Sequence, residues 1–93
     1  MNREELRSTL LRLLEEEMGE TYPSLADDVE FKDGLKLDSV DVVGLVMRLE
    51  RELQVRLSMT DLEQTRTVGN MLDILPAKMA QKAGREAGGA SVH

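Results

Sequence analysis

The sequence has no cysteine and no tryptophan, and only one histidine, one tyrosine and one phenylalanine among 93 residues. Without cysteine there is neither a disulfide framework nor a thiolate nucleophile. The single histidine, His93, is the last residue, where a solvated tail position is the expectation. No apolar run approaches the roughly 20 residues needed to cross a bilayer, and Met1-Asn2-Arg3-Glu4-Glu5 lacks the apolar centre of a signal peptide. A cytoplasmic location without membrane association is therefore expected. Basic residues are also few: 12 Lys and Arg against 18 Asp and Glu leave a formal charge of −6. That balance argues against nucleic-acid binding, which needs clustered cations to neutralise phosphates. It favours basic protein partners approached by charge steering.

A chain of this length makes one domain that buries about two-thirds of its unfolded surface. Its apolar residues follow helical spacing. A first helix is expected over Asn2 to Met18, capped by Asn2 with Glu5 three residues on, and ended by Gly19. Leu6, Leu10, Leu13 and Leu14 form its inward stripe. Residues 19–38 form an unusually long connection, pinned by Leu25, Val29, Phe31, Leu35 and Leu37, with Tyr22-Pro23-Ser24 as turn chemistry and one helical turn starting at Ser24. A second helix runs from Ser39 to Leu53 with Asp38 as its cap and Asp41 in its first turn. A short element covers Met59 to Gln64. A final helix, capped by Thr67, turns Val68, Met71, Leu72 and Leu75 inward and should end or kink at Pro76. The expected organisation is one domain over 1–83 and a flexible tail over 84–93.

The second helix has two apolar faces. Val42, Leu45, Val46, Leu49 and Leu53 share one arc, whereas Val40, Val43, Gly44 and Met47 lie on the opposite arc, continued by Arg51. The second strip is either a docking surface, with Gly44 permitting close approach, or is covered by the connection from Leu25 to Leu37. Arg48 and Arg51 are expected to be solvated. At the head of this helix stands Ser39, in Leu37-Asp38-Ser39-Val40-Asp41. A catalytic serine needs a base within hydrogen-bond reach and a group to orient that base, and neither is at hand. There is no G-x-S-x-G elbow, glycine-rich phosphate loop or metal-ligand cluster, so no catalytic and no metal site is expected. A covalently attached phosphodiester is different. First-turn N–H groups and the helix dipole favour it by about 0.3–1 kcal/mol, similar in size to the repulsion from Asp38 and Asp41. An attachment needs no affinity, only an exposed hydroxyl.

Leu35-Lys36-Leu37-Asp38-Ser39-Val40-Asp41, continuing through Leu45-Val46-Met47-Arg48-Leu49-Glu50, resembles the phosphopantetheine-attachment region of acyl carrier proteins. The likeness extends through Val55-Arg56-Leu57 and Thr67-Val68-Gly69-Asn70 and spans roughly Leu6 to Leu75. It implies an all-α, four-helix acyl-carrier-like bundle with a long loop between the first two helices and a short third helix. It implies a non-catalytic, monomeric carrier on which a Mg²⁺-dependent phosphopantetheinyl transferase places 4′-phosphopantetheine from coenzyme A, at Ser39. Acyltransferases, ketosynthases and other synthase enzymes would then exchange thioester cargo. Asp38, Val40, Asp41, Val43, Met47 and Glu50 fall at partner-recognition positions, which commonly meet basic patches of transferases and synthases. Val46, Leu49, Leu62, Met71 and Leu72 are candidates for an acyl pocket. The sequence departs from the common pattern: Lys36 stands where glycine is usual, Val40 where leucine or methionine is usual, and Gly44 and Arg51 where acids are frequent. The thinner acidic face points to polyketide or other specialised biosynthesis rather than fatty-acid synthesis. Aminoacyl cargo, or an interaction module without a prosthetic group, are the alternatives.

Overall fold

The computed structural model describes the backbone of residues 1–92 and the side chains of residues 1–81. His93 and the side chains of the expected tail lie outside the described residues. Four helices follow in order: α1 (Arg3–Met18), α2 (Ser39–Leu53), α3 (Met59–Glu63) and α4 (Val68–Val92). The expected all-α architecture, with a long first connection and a short third helix, is the one observed.

The first three helices start with the same reciprocal device. A polar cap accepts from the third helical N–H while the third side chain accepts from the cap N–H, in Asn2/Glu5, Asp38/Asp41 and Ser58/Asp61. At α4, Thr67 Oγ1 accepts from Asn70 N–H at 3.1 Å, and Asn70 Oδ1 accepts from Thr67 N–H at 3.1 Å. Gly19 and Gln54 close α1 and α2 in the left-handed region, with φ of 69° and 54°.

α1 packs chiefly on α2. Leu6, Leu10, Leu13 and Leu14 meet Leu45, Val46, Leu49 and Leu53 in one core, completed by Val68, Met71, Leu72 and Leu75 of α4. Three ion pairs flank the α1–α2 seam, Arg12–Glu52 at 2.8 Å, Arg48–Glu17 at 2.7 Å and Arg48–Glu16 at 3.4 Å. Arg48 is therefore tied to α1 instead of being free in solvent, as the sequence had led us to expect. Gly44 faces the same seam, since a Cβ there would overlap the Glu17 carboxylate. Its small size serves the packing of α2 on α1.

The connection 19–38 is held by burial of Leu25, Phe31 and Leu37, with Val29 and Leu35 partly buried against the core. It is also stitched to the start of α4. Phe31 N–H donates to Arg66 O at 3.0 Å, Val68 N–H to Val29 O at 2.9 Å, and Gly69 N–H to Asp27 O at 2.8 Å. The helical turn expected at Ser24 does not form. Its acidic partner, Asp27, is drawn instead to Arg3 at 2.8 Å and Arg7 at 2.7 Å. These two guanidiniums, Arg3 foremost, hold the Asp27 carboxyl below its usual range.

Two alternatives that the sequence left open are settled by the structure. α4 does not end at Leu75 but runs on through Pro76. The proline ring removes one N–H and leaves Leu72 C=O without its helical donor. The next turn is retained because Lys78 Nζ reaches Asp61 Oδ2 at 2.8 Å and Met79 packs against the core. The connection also does not cover the second apolar face of α2, as described next.

Candidate functional site

The approach to α2 is fixed from both sides. Gly34 and Leu35 N–H groups both donate to Glu30 O at 2.9 Å, which turns the chain back on itself. Lys36 then takes φ 61°, the left-handed conformation that glycine adopts without steric cost. This explains physically why a glycine would suit the position where lysine stands. Leu37 drops into the core and its N–H donates to Phe31 O at 3.1 Å.

Asp38 and Asp41 spend their side chains on each other's backbone. Asp41 N–H donates to Asp38 Oδ1 at 2.9 Å, and Asp38 N–H to Asp41 Oδ2 at 3.1 Å. Ser39, the first residue of α2, sits between them and is exposed. With both neighbouring carboxylates engaged as caps, neither is arranged as a base for its hydroxyl. Among the described residues no cluster of three or more His, Cys, Asp or Glu is placed to hold a metal ion. The site offers an accessible alcohol at a rigid helix start.

Beside Ser39 opens a groove of about 430 Å³ between the connection, α2 and α3. Val42, Val43, Met59 and Leu62 give it an apolar floor, and Lys32, Asp33, Glu63 and Arg66 a charged rim. Its volume lies in the range of small-molecule sites. Ser39 is itself one of the lining residues, so its hydroxyl adjoins a surface that is part apolar and part charged. Behind it lies a void of about 10 Å³ bounded by Phe31, Val42, Leu45, Val46, Leu62, Thr65 and Met71. Phe31, Val42, Leu62 and Thr65 border both spaces.

Of the five acyl-pocket candidates, Val46, Leu62 and Met71 border that void, whereas Leu49 and Leu72 are buried and border neither space. The partner-face candidates divide too. Val40, Val43 and Met47 are exposed by 77%, 50% and 54%, so the strip is open to solvent. Asp38 and Asp41 flank Ser39 as caps. Glu50 is half-buried, and its Oε2 accepts from Leu57 N–H at 2.9 Å. Sequence reasoning missed Met59, 74% exposed across the groove from Val43, and the rim residues Lys32 and Arg66. Met59 heads a helix only five residues long, whose orientation no periodic pattern could reveal.

Residues 8–75 match the family model described as "Phosphopantetheine attachment site". The chain is 32% identical over 78 residues to an acyl carrier protein of Thermotoga maritima, covering 84% of this chain and 96% of that one. It is 30% identical over 74 residues to an acyl carrier protein of Saccharopolyspora erythraea, covering 80% and 78% of the two. The fold is similar to the crystal structure of an acyl carrier protein from Thermotoga maritima, with a TM-score of 0.78 at 30% identity, over 87% of this chain and 94% of that one. A solution structure of a holo acyl carrier protein from Geobacter metallireducens shares the fold, with a TM-score of 0.74 at 19% identity, over 83% and 88%.

Proposed function

This chain belongs to the acyl carrier proteins of the phosphopantetheine-attachment family, and we propose that Ser39 is the residue that bears the group. The observation that carries this reading is the exposure of Ser39 at the first position of α2, between two capping aspartates and at the mouth of the groove. When attached, the group supplies a terminal thiol that holds cargo as a thioester. The chain's own part is to present and to position. The reciprocal Asp38/Asp41 cap keeps the helix start from fraying, so the hydroxyl stays at a fixed point relative to the exposed strip. Deprotonation of Ser39 Oγ falls to a base of the transferase, because the nearby carboxylates are already engaged. Val42, Val43, Met59 and Leu62 give the arm an apolar surface to rest on between partners. Asp38, Val40, Asp41, Val43 and Met47 surround the serine as the surface that transferase and synthase enzymes read.

We favour a specialised, polyketide-type pathway over fatty-acid synthesis. What supports this is the departure of the α2 face from an acid-rich one: Gly44 packs on α1, and Arg51 stands exposed on the strip. The deciding experiment incubates the protein with coenzyme A, Mg²⁺ and a broad-specificity phosphopantetheinyl transferase, followed by intact mass measurement. The expected result is a gain of one phosphopantetheine, absent from Ser39→Ala. No gain with several transferases, or an undiminished gain in Ser39→Ala, overturns the assignment. Loading of the product by an acyltransferase but not by amino-acid-adenylating enzymes separates acyl from aminoacyl cargo.

A further inference from the structure

The charges on and around α2 are unequally committed. Every acidic side chain of the helix and its cap already holds a donor. Asp38 and Asp41 hold each other's N–H, Glu50 holds Leu57 N–H, and Glu52 holds Arg12. Arg48 is spent on Glu17 and Glu16. Arg51 is exposed and, among the described residues, has no hydrogen-bond or ion-pair partner.

Its position is informative. Eleven residues separate Val40 from Arg51, three helical turns and about 20° more, so Arg51 stands on the strip's axis about 16 Å beyond Val40. Met47 lies between them, about 20° to the other side. Read from Ser39 outward, the exposed face runs acidic at Asp38 and Asp41, apolar at Val40, Val43 and Met47, and basic at Arg51. Such a face is electrically polar along its length. A uniformly basic docking patch matches only its first turn and opposes its far end. The pattern also forbids the helix from lying down in the reverse direction, because both ends would then meet like charge.

Resting on the carrier function proposed above, we propose that the synthase partner of this protein presents a cation near the entry for the serine-borne arm, an apolar trough, and a carboxylate placed to meet Arg51. The partner's acidic residue thereby sets both the direction in which α2 docks and the discrimination against enzymes with wholly basic patches.

A double-mutant cycle tests this. The protein is loaded at Ser39 with a pantetheine analogue bearing a thiol-reactive electrophile, and loading of every variant is verified by intact mass. Cross-linking rates are then measured with a ketosynthase whose docking patch is basic throughout, and with a variant of it carrying glutamate opposite the far end of α2. Reactivity of each enzyme's thiol towards the free analogue serves to normalise the rates. The wild-type carrier should favour the glutamate variant about fivefold, and Arg51→Glu should reverse that preference, with both effects shrinking at 1 M salt. Met47→Glu should slow both reactions alike. Equal preference of wild type and Arg51→Glu, or a wild-type preference for the wholly basic enzyme, overturns the proposal. Failure of wild type to load at all instead contradicts the attachment reading, which keeps the two failures distinct.

Discussion

Lys78→Met isolates what holds the third helix in place. α3 is five residues long and contributes no fully buried side chain, yet it forms one wall of the groove beside Ser39. Besides the packing of Leu62 against the core, it is tied to the bundle by the pair of Asp61 Oδ2 with Lys78 Nζ at 2.8 Å, with side chains only 15% and 19% exposed. Methionine keeps much of the lysine stem's packing but withdraws the charge. The loss is one charge-assisted hydrogen bond from a carboxylate that retains only its Ser58 N–H, costing about 1–2 kcal/mol. A domain of this size loses roughly 4–8 °C in Tm per kcal/mol, so the expected drop at pH 7 is about 5–15 °C. The acid dependence follows from Asp61, whose pKa is lowered first by Lys78 and next by the Ser58 backbone. A depressed carboxylate contributes stability that is present above its unfolded pKa, near 4, and lost as pH falls through its folded value. The gap in Tm between wild type and Lys78→Met should therefore be full at pH 7 and narrow as pH falls below about 4. Calorimetric melts across pH 7 to 3, with amide exchange over residues 58–65, provide the measurement. A shift under 1 °C at pH 7, or a gap that widens in acid, would refute the reasoning.

Two further perturbations probe the approach to Ser39. A Cβ on Gly34 would stand 2.7 Å from Glu30 O and 2.9 Å from Glu30 N, both backbone atoms that cannot swing aside. Gly34→Ala should cost about 1–3 kcal/mol in denaturant unfolding, and a cost under about 0.5 kcal/mol would show that the turn relaxes freely. Lys36, at φ 61°, should tolerate glycine within about 1 kcal/mol, because relief of strain offsets the extra freedom of the unfolded chain. Lys36→Ile should lose about 1–2 kcal/mol, and equal melting of the two variants would show that this φ is not required.

The helices were legible because their signals are local and repeated. Asn2 with Glu5, Asp38 with Asp41, and Thr67 ahead of Val68 mark starts that the structure reproduces, and the leucine spacing of α1 assigned its buried face. What could not be read locally depends on partners distant in sequence. Ser24-Leu25-Ala26-Asp27 looks like a helix start, but Arg3 and Arg7 claim the aspartate. Pro76 should end or kink a helix, and the helix runs on where Lys78 finds Asp61 on another element. Arg48 and Gly44 lie near the exposed strip in angle and yet serve α1 through Glu17. At the candidate site, the serine at the helix start and the second apolar strip were evident from helical angle, whereas the strip's exposure was settled only by the course of the connection. The groove was not, because Phe31, Met59 and Arg66 reach it from three separate segments.

The first donors of α4 are not capped by their own neighbourhood alone. Val68 and Gly69 give their N–H groups to Val29 and Asp27, about forty residues earlier. The last helix and the connection therefore support each other, since displacing either leaves backbone groups of the other without these partners. Order in the stretch that delivers Ser39 is thus coupled to the seating of the last helix.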